Sequence, residues 1–163
     1  MNCNPMEFRK YFFQVDANFV ALEREIDHWK GTQFIANMAM VGVGADCVRF
    51  VEAVLVDCGA IDPITWPPYV IEGGGAAMLE VLVRHMGSIP KLDNIWNKSH
   101  PKRPTLERGD VLLVSTGKKL HHLSILTTSP TIWHCLPKSG VCEGNVFDPL
   151  IEKYLHAVYR AKG

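Results

Sequence analysis

The sequence predicts an α+β fold, with N-terminal helices laid against one face of a C-terminal antiparallel sheet. Three observations lead there. Apolar residues recur at helical spacing in the first half, short strand-like stretches fill the second, and a proline-marked irregular segment at 91–108 divides them. In chain order, residues 16–30 make an amphipathic helix. Phe19, Leu22, Ile26 and Trp29 share its apolar face, Glu23, Arg24, Glu25 and Asp27 fill the other, and Gly31 ends it. Residues 32–44 read as a connecting segment of small and apolar residues. Asp46 then stands at the N-cap of a helix running from Cys47 to about Cys58, with Gly59 as its C-cap. Asp62-Pro63 and Trp66-Pro67-Pro68-Tyr69 mark loop, the second read as packing rather than as a groove wall. A third helix is expected over 76–85, between Gly73-Gly74-Gly75 and Gly87. Strands are expected at 111–115, 120–127, 131–136 and 156–161, with turns at Gly117-Lys118 and Ser129-Pro130.

Composition narrows the function classes. The 163 residues suit one domain, expected over 1–163. Lys+Arg and Asp+Glu balance at 17 each, which leaves no electrostatic footprint for nucleic acid. No apolar run approaches the roughly 18 residues of a membrane span, so no membrane insertion is expected. The first ten residues lack the charged-then-apolar layout of a signal peptide, which predicts synthesis in the cytoplasm. Five cysteines, at 3, 47, 58, 135 and 142, show no C-x-x-C spacing, so free thiols are expected rather than a disulfide framework.

Cys47 carries the chemical signal. It closes Gly42-Val43-Gly44-Ala45-Asp46-Cys47 and opens the apolar stretch 48–56, which sets it in a first helical turn. There, free N–H groups and the positive end of the helix dipole favour a thiolate, whose pKa can fall from about 8.5 to roughly 3.5–7.5. The competing structural role is a buried cysteine acting as a small hydrophobe. A thiolate needs a base, and of the seven histidines only His121, His122 and His134 lie in expected strands beside small or polar neighbours. Alternation puts His122, Ser124 and Leu126 on one strand face, and His134 follows in the next strand, so two imidazoles can meet across a hairpin. Reading His121, His122, His134 and Cys135 as metal ligands is the weaker alternative, because neighbouring strand residues point to opposite faces and paired ligand spacing is missing. No metal and no cofactor is expected. Gly73-Gly74-Gly75 lacks the Lys-Ser/Thr of a phosphate-binding loop.

These pieces resemble the NlpC-type, papain-like cysteine peptidases. Trp29-Lys30-Gly31-Thr32 and Gly42-Val43-Gly44-Ala45-Asp46-Cys47 resemble that family's start. Arg108-Gly109-Asp110-Val111-Leu112-Leu113, His121-His122-Leu123-Ser124-Ile125-Leu126 and Ile132-Trp133-His134 resemble its glycine-aspartate strand and two histidine strands. Order and spacing agree over about 22–159. The G-A-D-C approach and the doubled histidine look most like the branch carried by tailed phages and gene transfer agents.

The resemblance implies a papain-like core, with Cys47 as nucleophile, His122 as general base and His134 as the residue orienting it. Asp46, Phe34, Arg49 and His121 would flank the substrate, with Asp46 placed either to meet a substrate amine or only to cap the helix. The implied activity is a thiol peptidase or amidase cutting peptidoglycan stem peptides. Its implied partners are other phage tail proteins, and its implied destination is the virion. The alternative is a weak or inactive tail-assembly or wall-binding module of the same fold. Two departures bear on this choice. Val48 and Arg49 replace the family's small pair after the cysteine, and Gln33-Phe34 stands where a tyrosine hydroxyl is usual, a hydroxyl that Tyr69 is one candidate to replace.

Overall fold

The computed structural model describes residues 11–70, 75–116 and 121–163. After a short 3-10 turn at Phe12–Gln14 come α1 (Asp16–Trp29), a two-stranded hairpin of β1 (Ala39–Met40) and β2 (Gly44–Ala45), α2 (Cys47–Asp57) and α3 (Gly75–Ser88). Then follow β3 (Leu92–Asn97), β4 (Val111–Ser115), β5 (His121–Leu126), β6 (Thr131–Leu136), β7 (Gly140–Asn145), α4 (Pro149–Tyr154) and β8 (Leu155–Ala161). The main sheet is antiparallel, in the order β3-β8-β4-β5-β6-β7. The α+β expectation holds.

Each sheet face has its own apolar layer. Val111, Leu113, Leu123, Ile125, Trp133 and Cys135 join the helices in one cluster, while Leu112, Val114, Leu126, Ile132 and Val158 belong to a second. The period of two along β4 and β5 therefore divides the strands between two cores. In the first core α2 is the central helix. Val48, Phe50, Val51, Val54 and Leu55 are buried, and Trp29 of α1 meets the Phe50 ring edge-on at 5.8 Å. Burying side chains of this size contributes about 1.5–3 kcal/mol each.

The Gly109-Asp110 pair ties the sheet to the N-terminal turn. Gly109 has a φ of +84°, and a Cβ there would meet the Phe13 ring at 2.2 Å, so no larger residue fits. The buried Asp110 accepts from Arg160 Nε and Nη2 of β8 at 2.6 and 2.8 Å, and from the Glu107 N–H at 2.8 Å. This bidentate pair fixes β4 beside β8.

Several elements depart from the sequence expectations. Residues 32–44, expected as a connecting segment, hold most of the β1–β2 hairpin, where the exposed Met40 of β1 and the turn residues Val41 and Val43 carry little polar patterning. The segment 91–108 contains β3, an edge strand in which only Leu92 and Trp96 are buried, too sparse a signal to separate from loop. The third helix extends to Gly75–Ser88, because Gly87 sits in the helix instead of ending it. β7 and the short α4 were not expected; two glycines interrupt the first, and the second is only six residues long. Gly73, Gly74, the Gly117-Lys118 turn and Cys3 lie outside the described residues. Among the described residues, no helix is long and apolar enough to cross a membrane.

Candidate active site

Asp46 builds the start of α2. Its Oδ1 accepts from the N–H groups of Val48 at 3.0 Å and Arg49 at 2.8 Å, the arrangement that ends a helix's run of unmet donors. Its Oδ2 accepts from the Asn37 N–H at 2.6 Å and from the Tyr69 hydroxyl at 2.7 Å. The carboxylate is wholly buried, so all four donors belong to the fold. Tyr69 thus brings a phenol to the capping carboxylate beside Cys47, from a loop more than twenty residues downstream.

Cys47 follows, at the first position of α2, and is 1% exposed. Its thiol makes a long contact, 4.0 Å, to the backbone carbonyl of His121 on β5. The N–H groups of Leu123, Val48 and Cys47 itself face the sulfur and favour a thiolate, but burial outweighs them and the Asp46 charge adds to it, so the pKa is pushed up to about 12. This corrects the expectation of an acidified thiol. Helix-start donors favour the thiolate, but here the desolvation of a buried sulfur outweighs them.

Opposite the nucleophile, β5 and β6 pair only at Ile125↔Trp133 and Leu126↔Ile132. Beyond that register, His122 and His134 span the two strands, with His122 Nε2 and His134 Nδ1 3.0 Å apart and the rings edge-to-face at 5.0 Å. Both rings are buried, and a Cβ at Gly144 of β7 would come within 2.9 Å of the His134 ring. Burial, then the neighbouring His134, pushes His122 down to about 3. Burial also lowers His134, against the opposing pull of Asp148 and of the Glu143 backbone. A neutral pair with the proton on His122 Nε2, donated to His134 Nδ1, leaves His122 Nδ1 as the basic nitrogen. Among the described residues, no hydrogen bond joins the Cys47 thiol to that nitrogen.

His121 faces the other way. Its Nε2–H donates to the Gly75 carbonyl at 2.6 Å, so in the neutral ring Nδ1 accepts from Ser115 Oγ at 3.0 Å. It pins the start of α3 to β4, while its carbonyl meets the thiol. Cys135 Sγ lies 3.1 Å from the Ala45 carbonyl, in the helix-side core with Trp133 rather than with His134. Of the four residues of the metal reading, His122 and His134 meet, while His121 and Cys135 turn to other neighbours. Phe34 is half-buried and makes an isolated bridge to Ala45, two residues before Cys47. Arg49, two residues after Cys47 on α2, pairs with Glu52 at 2.7 Å. With Asn37, Trp66, Pro68 and Tyr69 it lines a depression of about 430 Å³ beside Asp46. The Trp66–Tyr69 loop thus forms a wall as well as packing.

No protein-family model and no curated protein sequence matches the chain. Solved structures match it in fold. An NlpC/P60 family protein from Bacillus cereus aligns with a TM-score of 0.55 at 18% identity, over 85% of this chain and 39% of its own. A Staphylococcus aureus protein described as similar to a lipoprotein of the NLP/P60 family gives 0.57 at 16%, over 99% of this chain and 45% of its own. The NlpC/p60 domain of the peptidoglycan hydrolase SagA gives 0.53 at 14%, over 88% of this chain and 97% of its own. The chain has the fold of NlpC/P60 proteins: an α+β core with the cysteine helix packed on an antiparallel sheet. It spans less than half the length of the first two of these relatives.

Proposed function

We propose that the protein is a cysteine hydrolase of amide bonds in peptidoglycan stem peptides, with Cys47 as nucleophile, His122 as base and His134 as the group that orients it. The observation that carries this reading is the 3.0 Å bond between the two imidazoles, on the strand whose backbone also receives the Cys47 thiol. A nucleophile at a helix start, a base on the facing strand and a third group holding the base are the parts such chemistry needs. The likeness in fold to the NlpC/p60 domain of a peptidoglycan hydrolase supports the substrate class.

In the reaction, the resting pair is neutral. As Cys47 Sγ attacks the scissile carbonyl carbon, its proton passes to His122 Nδ1, and His134 steadies the imidazolium. The N–H groups of Val48 and Arg49 are engaged by Asp46, so the N–H of Cys47 itself is the helix donor for the oxyanion. One such donor contributes about 2.7–4 kcal/mol to the transition state. Collapse expels the amine, which takes the proton from His122, and water then hydrolyses the thioester. The G-A-D-C approach and the doubled histidine support a finer reading: a phage tail component that opens the wall at entry beside other tail proteins.

A second reading has a specific observation behind it. The 1% exposed thiol, with its pKa pushed up to about 12, suits a tail-assembly or wall-binding module that keeps the fold without turnover. Digestion of defined muropeptides with mass-spectrometric readout separates the two. Cleavage by the parent that vanishes in Cys47→Ala and in His122→Ala supports the enzyme. Sedimentation with intact sacculi and no cleavage product from the parent would leave the module.

A further inference from the structure

We propose that the depression bounded by β3, the C-terminal end of β4 and the α4–β8 junction is a binding site for a phosphate group on a small carrier. The depression measures about 480 Å³, and its walls include Lys98, His100, Arg103, Lys153 and His156. None of the described residues lining it bears a carboxylate. In a chain whose formal charges cancel, three permanent cations facing one hollow are a local excess.

The excess is not neutralised nearby. Other cations meet acids, as Arg49 does Glu52, Lys91 does Asp62 and Arg160 does Asp110. Among the described residues, Lys98, Arg103 and Lys153 form no ion pair. Two of them are held in place by aromatic rings instead. The Arg103 guanidinium lies over Trp96 at 6.0 Å and donates to the Glu152 carbonyl, and the Lys153 ammonium lies over Tyr154 at 5.1 Å. Of the three, Lys98 also acts on His156, whose pKa is lowered by burial first and then by Lys98 and His121.

The donor set selects the ligand chemistry. A carboxylate would neutralise one of the three cations. A phosphate monoester offers up to two charges and three acceptor oxygens, and successive diesters offer one charge each, so either suits an arginine fork and two lysine point charges better than a lone carboxylate. A hollow of this size accepts one phosphate with its carrier, not an extended nucleic-acid backbone. Cys47, His122 and His134 are absent from its described walls, so this proposal stands independently of the hydrolase reading.

Calorimetric titration of the full chain with glycerol 3-phosphate, short poly(glycerol phosphate) and uncharged glycerol, at low salt, tests it. Saturable binding of a phosphorylated probe, absent for glycerol, is expected. Lys98→Ala and Lys153→Ala should each weaken it roughly fivefold, the effect of one exposed charge pair worth about 1 kcal/mol. Both residues are exposed, so the variants should keep the parent's circular dichroism and melting point, and Lys138→Ala serves as a remote charge control. Tighter binding of the polymer marks a wall-type phosphodiester as the source, and equal binding marks a small phosphorylated molecule; either supports the site. No binding at millimolar probe, glycerol binding as well as the phosphates, or an equal loss in Lys138→Ala overturns it.

Discussion

Asp46 and Cys47 are neighbours in the chain, share one helix start, and are sealed from solvent to the same degree, at 0% and 1% exposure. Four donors from three segments converge on the carboxylate at 2.6–3.0 Å. The thiol has one long contact and a few oblique N–H groups, and burial pushes its pKa up to about 12. The difference teaches that a helix start is not in itself an anion site. Its first N–H groups go to the residue that reaches them with short geometry, and here the capping aspartate takes them. The cysteine receives what remains.

The largest expected effect breaks the first half of this contrast. Asp46→Ala leaves buried donors without an acceptor and should destabilise the fold by about 3–4 kcal/mol. Urea unfolding with an unchanged m-value reads this directly, and a loss below about 1 kcal/mol would contradict the role given to the carboxylate. Cys47→Ala, by contrast, should cost little stability, about 1 kcal/mol, while abolishing any cleavage.

The ionisation of the buried groups supplies the next test. His122 is held at about 3 against an ordinary 6.5, so below pH 6.5 the unfolded chain binds more protons and stability drops as the pH is lowered. Cys47 is held at about 12 against an ordinary 9.0, so above pH 9 the unfolded thiol ionises first and stability falls again. The melting temperature should therefore plateau between these limits. In Cys47→Ala the alkaline fall should shrink, and in His122→Phe the acid fall should. An unchanged profile in both variants would contradict the burial of these groups.

Two smaller effects sharpen the comparison. Tyr69→Phe removes one of the four donors to Asp46 and should cost about 1–1.5 kcal/mol, with the far-ultraviolet spectrum unchanged. Arg49→Ala removes a partly exposed pair with Glu52 and should change stability by about 0.5 kcal/mol or less. Since Arg49 also lines the depression beside Asp46, it should move KM more than kcat if stem peptides lie there.

Much of this was legible residue by residue. Phe19, Leu22, Ile26 and Trp29 mark α1 by spacing alone, and Asp46 before an apolar run marks the start of α2. The alternation of β5 separated His121 from His122, and the structure keeps them apart: one ring braces Gly75 and Ser115, the other bonds His134. Tyr69 was harder to place, since nothing local in Trp66-Pro67-Pro68-Tyr69 points to a carboxylate 23 positions earlier. The basic hollow was invisible. Lys98 and Arg103 share an acid-free run between Asp93 and Glu107, but Lys153 stands far along the chain beside Glu152, and only the packing of β3 against β8 brings it to them.

By itself the sequence determined the α+β division, the cysteine at a helix start and the pair of strand histidines, because those follow from periodicity and capping within a few residues. Tertiary structure alone decided the state of the thiol. Protonation depends on how much water the surrounding chain removes and how many donors it returns, and that sum is taken over β5, the loop bearing Tyr69 and the N-terminus of α2 together.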